Sequence, residues 1–163
     1  MIRQEYWTQG RMLNLTWHEA DFEPPPDQVT QAYGICFTDG GQIVLVSVDR
    51  EYWNLPGGTV EAGETAAQTL VREVWEEACA KVIASRYIGC QQVEDFARPD
   101  DGPKVYYQTR FWARVTLEAF QPQFEIIARR LVTPEAFRST LTWGQALIAG
   151  RILELGLAIN NIS

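Results

Sequence analysis

Three carboxylates, Glu73, Glu76 and Glu77, stand at positions i, i+3 and i+4 of the segment from Thr65 to Ala80. On a helix they span an arc of about 100° and converge on one side. Like charges so close repel, so something positive must offset them. Two partners are available: Arg72, four residues before Glu76, and a bound divalent cation. Oxygen-only ligands select hard cations, Mg²⁺ or Mn²⁺, over zinc. The preceding loop holds Gly57, Gly58, Glu61, Gly63 and Glu64. Its glycines let backbone approach such a site, and it adds a carbonyl and further acids. Taken alone, the same run also reads as the solvated face of an amphipathic helix.

The elements that must hold these residues can be read from pattern. Val29 to Phe37 and Gln42 to Val48 are rich in strand formers, and Thr38-Asp39-Gly40-Gly41 between them is a hairpin turn signal. Asp49 to Gly63 has no apolar period and reads as a loop. Thr65 and Gln68 form a capping box, and Ala67, Leu70, Val71, Val74 and Ala78 recur at helical spacing through about Ala80. Val82 to Val93 and Val105 to Leu117 read as strands joined by the turn-rich Arg98–Pro103. Phe124 to Val132 reads as another strand. Thr133-Pro134 starts a short helix. Thr142 to about Leu155 reads as a last helix, with Thr142 and Gln145 as a second capping box and Gly156 as its stop. The 22 residues before the Glu23-Pro24-Pro25-Pro26-Asp27 cluster read as a leading strand or arm, with Leu13, Leu15 and Trp17 alternating. The order strands, helix, strands, helix implies an α+β or α/β sandwich, a mixed sheet flanked by helices.

Composition bounds the partners. The chain has 163 residues, a net charge of −7, 46% hydrophobic residues and 21% charged ones, which fits one ordinary globular domain over 1–163. The acidic balance opposes broad binding to a polynucleotide backbone, though not a phosphate ligand delivered with a cation. No run of 18 apolar residues suggests a membrane span, and the N-terminus lacks the apolar core of a signal peptide. Cys36, Cys79 and Cys90 are odd in number and lack CxxC spacing, so neither a disulfide framework nor a thiolate zinc site is expected, and a reducing cytoplasm is the default compartment. His18 is the only histidine and has no Ser or Cys in nucleophile context; it reads as a surface or strand-edge residue rather than part of a triad.

The spacing Gly58, five residues, Glu64, seven residues, Arg72-Glu73, two residues, Glu76-Glu77 resembles the signature of the Nudix hydrolase family, G-x5-E-x7-R-E-U-x-E-E-x-G-U with U a bulky apolar residue. From this chain's own residue frequencies, six such matches arise by chance on the order of 10⁻⁵ to 10⁻⁴ of the time. Val74 fits the first U, and the lead-in Trp53-Asn54-Leu55-Pro56-Gly57-Gly58 also resembles the family's approach to this box. Cys79 departs from the pattern by standing where the family has Gly, and Ala80 by standing where it has a bulky aliphatic. Cys at the helix exit suggests a different exit or a longer helix.

The resemblance implies a Nudix-type α/β/α sandwich with its box at 58–80. It implies a Mg²⁺- or Mn²⁺-dependent hydrolase that cleaves a diphosphate linkage in a nucleoside diphosphate derivative or nucleoside triphosphate. Glu73, Glu76 and Glu77 would hold the cation, with the Gly58 carbonyl as a further ligand. Glu76 or Glu73 would act as base, and Arg72 would orient a glutamate. Arg72, Glu64 and Trp53 are candidates for substrate contact. Later acids, Glu94, Asp95, Asp100, Asp101, Glu118 and Glu125, are alternative bases. Tyr33, Phe37, Trp53, Tyr107 and Trp112 are candidates to stack on a base, although strand aromatics are more often core. No pattern of the ADP-ribose, dinucleoside polyphosphate or coenzyme A subfamilies stands out. A homodimer is expected by resemblance only. The rival reading is a non-catalytic Nudix-fold module that senses a nucleotide or pairs with a partner; Cys79 leans that way, while the intact glutamates and Arg72 lean to the enzyme.

Overall fold

Side chains of β3 (Val29–Phe37) alternate between two cores, as period-2 geometry demands. Ala32 and Cys36 pack with Leu70, Val74 and Ala78 of helix α1 (Ala66–Ala78). Ile35 and Phe37 pack with Phe137 of α2 (Pro134–Thr140) and with Ile148 and Ile152 of α3 (Leu147–Asn160). The next strand, β4 (Ile43–Ser47), divides the same way, Val44 and Val46 toward α1 and Ile43 and Leu45 toward α2 and α3. A strand buried on both faces reads as a continuous apolar run, which is how both appear in the sequence.

The computed structural model describes residues 1–97 and 102–162. The remaining strands are β1 (Arg3–Thr8), β2 (Arg11–Glu19), β5 (Trp53–Asn54), β6 (Gly57–Thr59), β7 (Ala80–Asp95), β8 (Lys104–Leu117) and β9 (Ala128–Val132). The strands form one sheet in the order β1-β2-β7-β8-β3-β4-β5, with β6 paired to β3 and β9 to β4. β3 and β8 run parallel and the other pairs antiparallel, so the sheet is mixed. The α+β architecture expected from the sequence, a mixed sheet flanked by helices, is present. No helix among the described residues is long and apolar enough to cross a membrane.

Several local expectations differ. The leading segment is a hairpin, not an arm. Gln9 and Gly10, both at positive φ, turn β1 onto β2, and β2 pairs with β7. His18 lies beyond the last residue of β2 paired with β1 and pairs with Cys90 of β7, with Nε2 2.6 Å from Gln92 Oε1 and the ring stacked on Phe22. The stretch 49–63 is not all loop, because β5 and β6 pair with β4 and β3. The strand expected from Phe124 begins at Ala128; Phe124 has φ 57°, and Gln123 bridges Ile126 in a turn. Residues 98–101 of the expected turn-rich loop lie outside the described residues.

The last helix starts five residues later than its apparent cap. Thr142 accepts the backbone N–H of Trp53 instead of capping a helix, and Ala146 occupies the N-cap. Gly156 is no stop. It sits inside α3, where a Cβ would come 3.0 Å from Ile35 Cγ2, so glycine is there for close packing of helix on sheet.

Candidate active site

Helix α1 carries the acidic cluster and is fixed at both ends. Thr65 Oγ1 accepts from Gln68 N while the Gln68 side chain accepts from Thr65 N, the reciprocal capping box expected. The other end stops two residues sooner than periodicity suggests. Cys79 takes the left-handed conformation, φ 51° and ψ 46°, and its N–H donates to Trp75 O. It thus does backbone work usually left to glycine at this point, and neither a longer helix nor a different exit results. Its thiol sits against the Gln121 backbone, 3.4 Å from the N and 3.6 Å from the O. Arg129, from β9, donates to the carbonyls of Ala78 (2.8 Å), Glu118 (2.9 Å) and Cys79 (3.4 Å). A cation on the last carbonyls of a helix complements its dipole. The sequence gives no local signal for Arg129, which lies fifty residues away.

One arginine organises the acids. Arg72 Nε donates to Glu64 Oε2 at 2.8 Å and Nη2 to Glu64 Oε1 at 2.9 Å, a bidentate fork. Nη1 donates to Glu73 Oε1 at 2.8 Å and Glu76 Oε2 at 3.2 Å, and stands 3.6 Å from Glu61. Nη2 also reaches the Thr59 carbonyl at 3.0 Å. This fork holds the Glu64 carboxyl down to about 2 and raises the guanidinium above its ordinary value.

The other two carboxyls move the opposite way. Glu77 Oε1 accepts the Gly57 N–H at 2.8 Å, yet burial first, and the charges of Glu73, Glu76 and Glu125 after it, push its carboxyl up to about 7. Burial, helped by Glu76 and Glu61, also raises Glu73 despite its bond to Arg72. One guanidinium therefore fails to balance the group. Gly58, on β6, meets this cluster at van der Waals range: a Cβ there would sit 2.7 Å from Glu73 Cδ. Among the described residues no three acids, histidines or cysteines surround a common point, because Arg72 draws Glu73 and Glu76 to itself while Glu77 is tied to Gly57.

Gly58, Glu64, Arg72, Glu73, Glu76 and Glu77 are thus brought together. Trp53 stands apart. It lies on β5, paired with Ser47, with the Arg130 guanidinium 5.8 Å over its ring. Of the later acids, Glu125 acts on Glu77, whereas Asp95 pairs with Arg11 and Glu118 with Lys81. Asp100 and Asp101 lie outside the described residues. Phe37 and Trp112 belong to the core, and Tyr107 lies by Phe22 and His18.

Tyr33 pairs with Gly57 and lines a cavity of about 300 Å³ on the α3 face of the sheet. Sequence reasoning passed over that cavity's most unusual member, Arg110, buried on β8. The signal was a cation, one of two with Arg114, inside the strand-forming run Val105–Val115.

Comparisons with known proteins agree with this geometry. A model of the NUDIX domain matches residues 28–152. A MutT-like protein of Streptomyces ambofaciens is 35% identical over 78 residues, 48% of this chain and 51% of that protein. Dihydroneopterin triphosphate diphosphatase of Escherichia coli (strain K12) is 37% identical over 71 residues, 39% of this chain and 47% of that protein. The chain spans about half the length of these curated relatives. The crystal structure of the Bacillus subtilis pyrophosphohydrolase BsRppH superposes with a TM-score of 0.69 at 23% identity, covering 98% of this chain and 99% of that one, which shows a shared fold. With three quarters of its length matched and the box residues gathered around Arg72, the chain belongs to the Nudix family.

Proposed function

We propose that the protein is a divalent-metal-dependent hydrolase that cleaves a diphosphate linkage in a nucleoside triphosphate or nucleoside diphosphate derivative. The observation that carries this reading is the charge imbalance around Arg72 of α1. Four glutamates crowd one arginine, and the carboxyls of Glu73 and Glu77 are raised by burial and by their neighbours. An all-oxygen donor set with surplus negative charge fits a hard cation, Mg²⁺ or Mn²⁺. Glu73, Glu76 and Glu77 would hold it, with the Gly58 carbonyl close by.

A bound Mg²⁺ or Mn²⁺ would neutralise the diphosphate and lower the pKa of water at the site. The chain's own residues do the rest. Arg72 fixes Glu64, Glu73 and Glu76 in one arrangement, so their orientation is set before substrate arrives. Water attacks a phosphorus, the bond to the bridging oxygen breaks, and the attacking water's proton passes to a box carboxylate, Glu76 or Glu73. The Gly57 N–H holds Glu77 in place. Glycine at 58 leaves the Glu73 carboxylate room to lie against the β6 backbone.

The relative named for a triphosphate substrate puts triphosphates first among the candidates. The acidic charge favours a small nucleotide over a polynucleotide, and three free cysteines suit a reducing cytoplasm. The sensor reading loses its one support, since Cys79 reproduces the left-handed exit.

The test is phosphate and nucleotide release from nucleoside di- and triphosphates, dinucleoside polyphosphates and nucleotide sugars, with Mg²⁺, with Mn²⁺ and with EDTA, on wild type and Glu76→Gln. Metal-dependent turnover that the substitution abolishes is expected. No turnover anywhere on the panel, alongside tight nucleotide binding, would overturn the enzyme reading.

A further inference from the structure

The free edges of the sheet differ. β5 and β6 are only two and three residues long. β9 carries Arg129 and Arg130 side by side. The half of β7 that β2 does not reach, residues 80–88, has register shifts at Val82/Ala84 and Tyr87/Gly89 and carries Lys81 and Arg86. Short, bulged or like-charged edges resist pairing with another strand. β1 is the exception. It runs six residues from Arg3 to Thr8 with no register shift, and it ends the strand order. Its Tyr6 and Trp7 are 49% and 66% exposed.

The ladder shows which backbone groups β1 leaves open. Trp17 N donates to Ile2 O at 2.9 Å, so Ile2 and Trp17 form a hydrogen-bonded pair. Antiparallel alternation then gives Gln4, Tyr6 and Thr8 the bonds to β2. Arg3, Glu5 and Trp7 turn their N–H and C=O groups outward, and among the described residues no strand lies on that side. Their side chains share one face, because alternate residues of a strand point the same way. Arg3 and Glu5 are exposed and of opposite sign, and neither makes an ion pair among the described residues.

We propose that the outer edge of β1 binds a second copy of this chain, strand to strand and antiparallel, with Arg3 opposite the partner's Glu5. Charge complementarity selects both the occupant and the register. A two-fold axis pairs outward residues with outward residues, so the register moves in steps of two. With Glu5 on the axis, Glu5 would face its own copy, and like charges directly opposite destabilise. With Tyr6 on the axis, Arg3 would lie beyond the partner's Thr8. With Gln4 on the axis every exposed group is answered. Arg3 faces the partner's Glu5, and Glu5 the partner's Arg3. Trp7 meets the partner's Met1, and on the other face Tyr6 meets the partner's Ile2. Opposite charges across a strand pair stabilise it, and sulfur–aromatic contact adds to that. The proposal is independent of the hydrolase reading. β1 stands four places along the sheet from β3, which holds β6, so the glutamates of α1 lie clear of the interface.

Sedimentation velocity with exchanged charges tests this. One strand pair is a small interface, so a Kd on the order of 10 µM is expected. Wild type should sediment as a monomer at about 1 µM and mostly as a dimer at about 200 µM. Arg3→Glu sets acid against acid across the interface, and Glu5→Arg sets base against base. Each should weaken dimerisation by about tenfold or more. An equimolar mixture of the two variants restores opposite charges and should dimerise as wild type does. Both side chains are exposed, so both variants should keep the wild-type Tm. Glu5→Pro is the backbone test. The Glu5 N–H points away from β2, so proline spares the hairpin, blocks the edge and should leave a monomer.

Amide hydrogen exchange reads the edge residue by residue. Between the same two concentrations the amides of Arg3, Glu5 and Trp7 should slow by about fivefold, while those of Gln4, Tyr6 and Thr8 keep their rates. A monomer at every concentration would overturn the proposal, whatever other strand the edge accepts. A dimer that both charge variants leave intact would place the interface elsewhere and overturn it too. Variants that stay monomeric when mixed would overturn the register, and with it the pairing of Arg3 with the partner's Glu5.

Discussion

Arg72 sits among four glutamates on the rim of α1, whereas Arg110 sits buried on β8 in a cavity whose described lining holds no acid. The two guanidinium groups respond in opposite directions. The carboxylates raise the first, and burial lowers the second to about 10. Around Arg72 the protein keeps negative charge in surplus; around Arg110 it keeps positive charge unanswered. A surplus that costs folding stability persists where a ligand of opposite sign cancels it. Negative charge in excess on one face of the sheet thus stands against a buried positive charge on the other, with β6 and Tyr33 between them.

The strongest way to break the comparison is at the glutamates. Glu76→Gln keeps the size of the side chain and removes its charge. It should lower kcat by about 10² to 10⁴ fold in steady-state assays, while the Tm in EDTA stays near wild type or rises. A loss below tenfold would remove Glu76 from the chemistry.

The surplus also predicts a linkage between pH, metal and stability. Glu77 is raised from 4.5 to about 7, so the folded state holds its proton more tightly than the unfolded chain. In EDTA, stability contributed by the protonated carboxyl is fully present below about pH 4.5 and is lost as pH rises through about 7, at most roughly 3 kcal/mol. Added Mg²⁺ should therefore raise Tm more at pH 8 than at pH 5.5. An equal rise at both would show that Glu77 does not face the cation.

Removing the two arginines sharpens the contrast. Arg72→Met leaves four carboxylates without their donor and should cost about 2 kcal/mol in EDTA, with Mg²⁺ recovering much of it. Arg110→Met replaces an unpaired buried charge with an apolar chain of similar length and should leave stability within about 1 kcal/mol of wild type or raise it. Equal destabilisation by both, in denaturant titrations, would erase the distinction. The smallest effect is expected at Cys79→Gly. Glycine relieves the left-handed backbone but gives up the thiol contacts to Gln121, for a net gain of no more than about 1 kcal/mol and little change in turnover.

The local chemistry follows from residue types and their spacing along the chain. Glu73, Glu76 and Glu77 share a helix face because 3.6 residues make a turn, and Thr65 caps that helix because its hydroxyl reaches Gln68 N three residues on. The strands from Val29, Ile43, Ala80 and Lys104 were legible because apolar and β-branched residues cluster between turn signals. Interactions within a few residues depend on spacing alone, and spacing is written in the chain.

Where distant segments compete, spacing was not enough. Thr142 and Gln145 have the form of a capping box, yet Trp53, from a strand 89 residues earlier, takes the Thr142 hydroxyl and the helix begins at Leu147. Gly156 has the form of a stop, yet it is the flat spot that lets α3 lie on Ile35 and Phe37. Only the tertiary structure brought Arg129 to the last carbonyls of α1, and only it buried Arg110 between Tyr33 and Trp143 beside the uncapped start of α3. Those arrangements depend on which strand lies beside which, and burial, unlike periodicity, is a property of the assembled sheet.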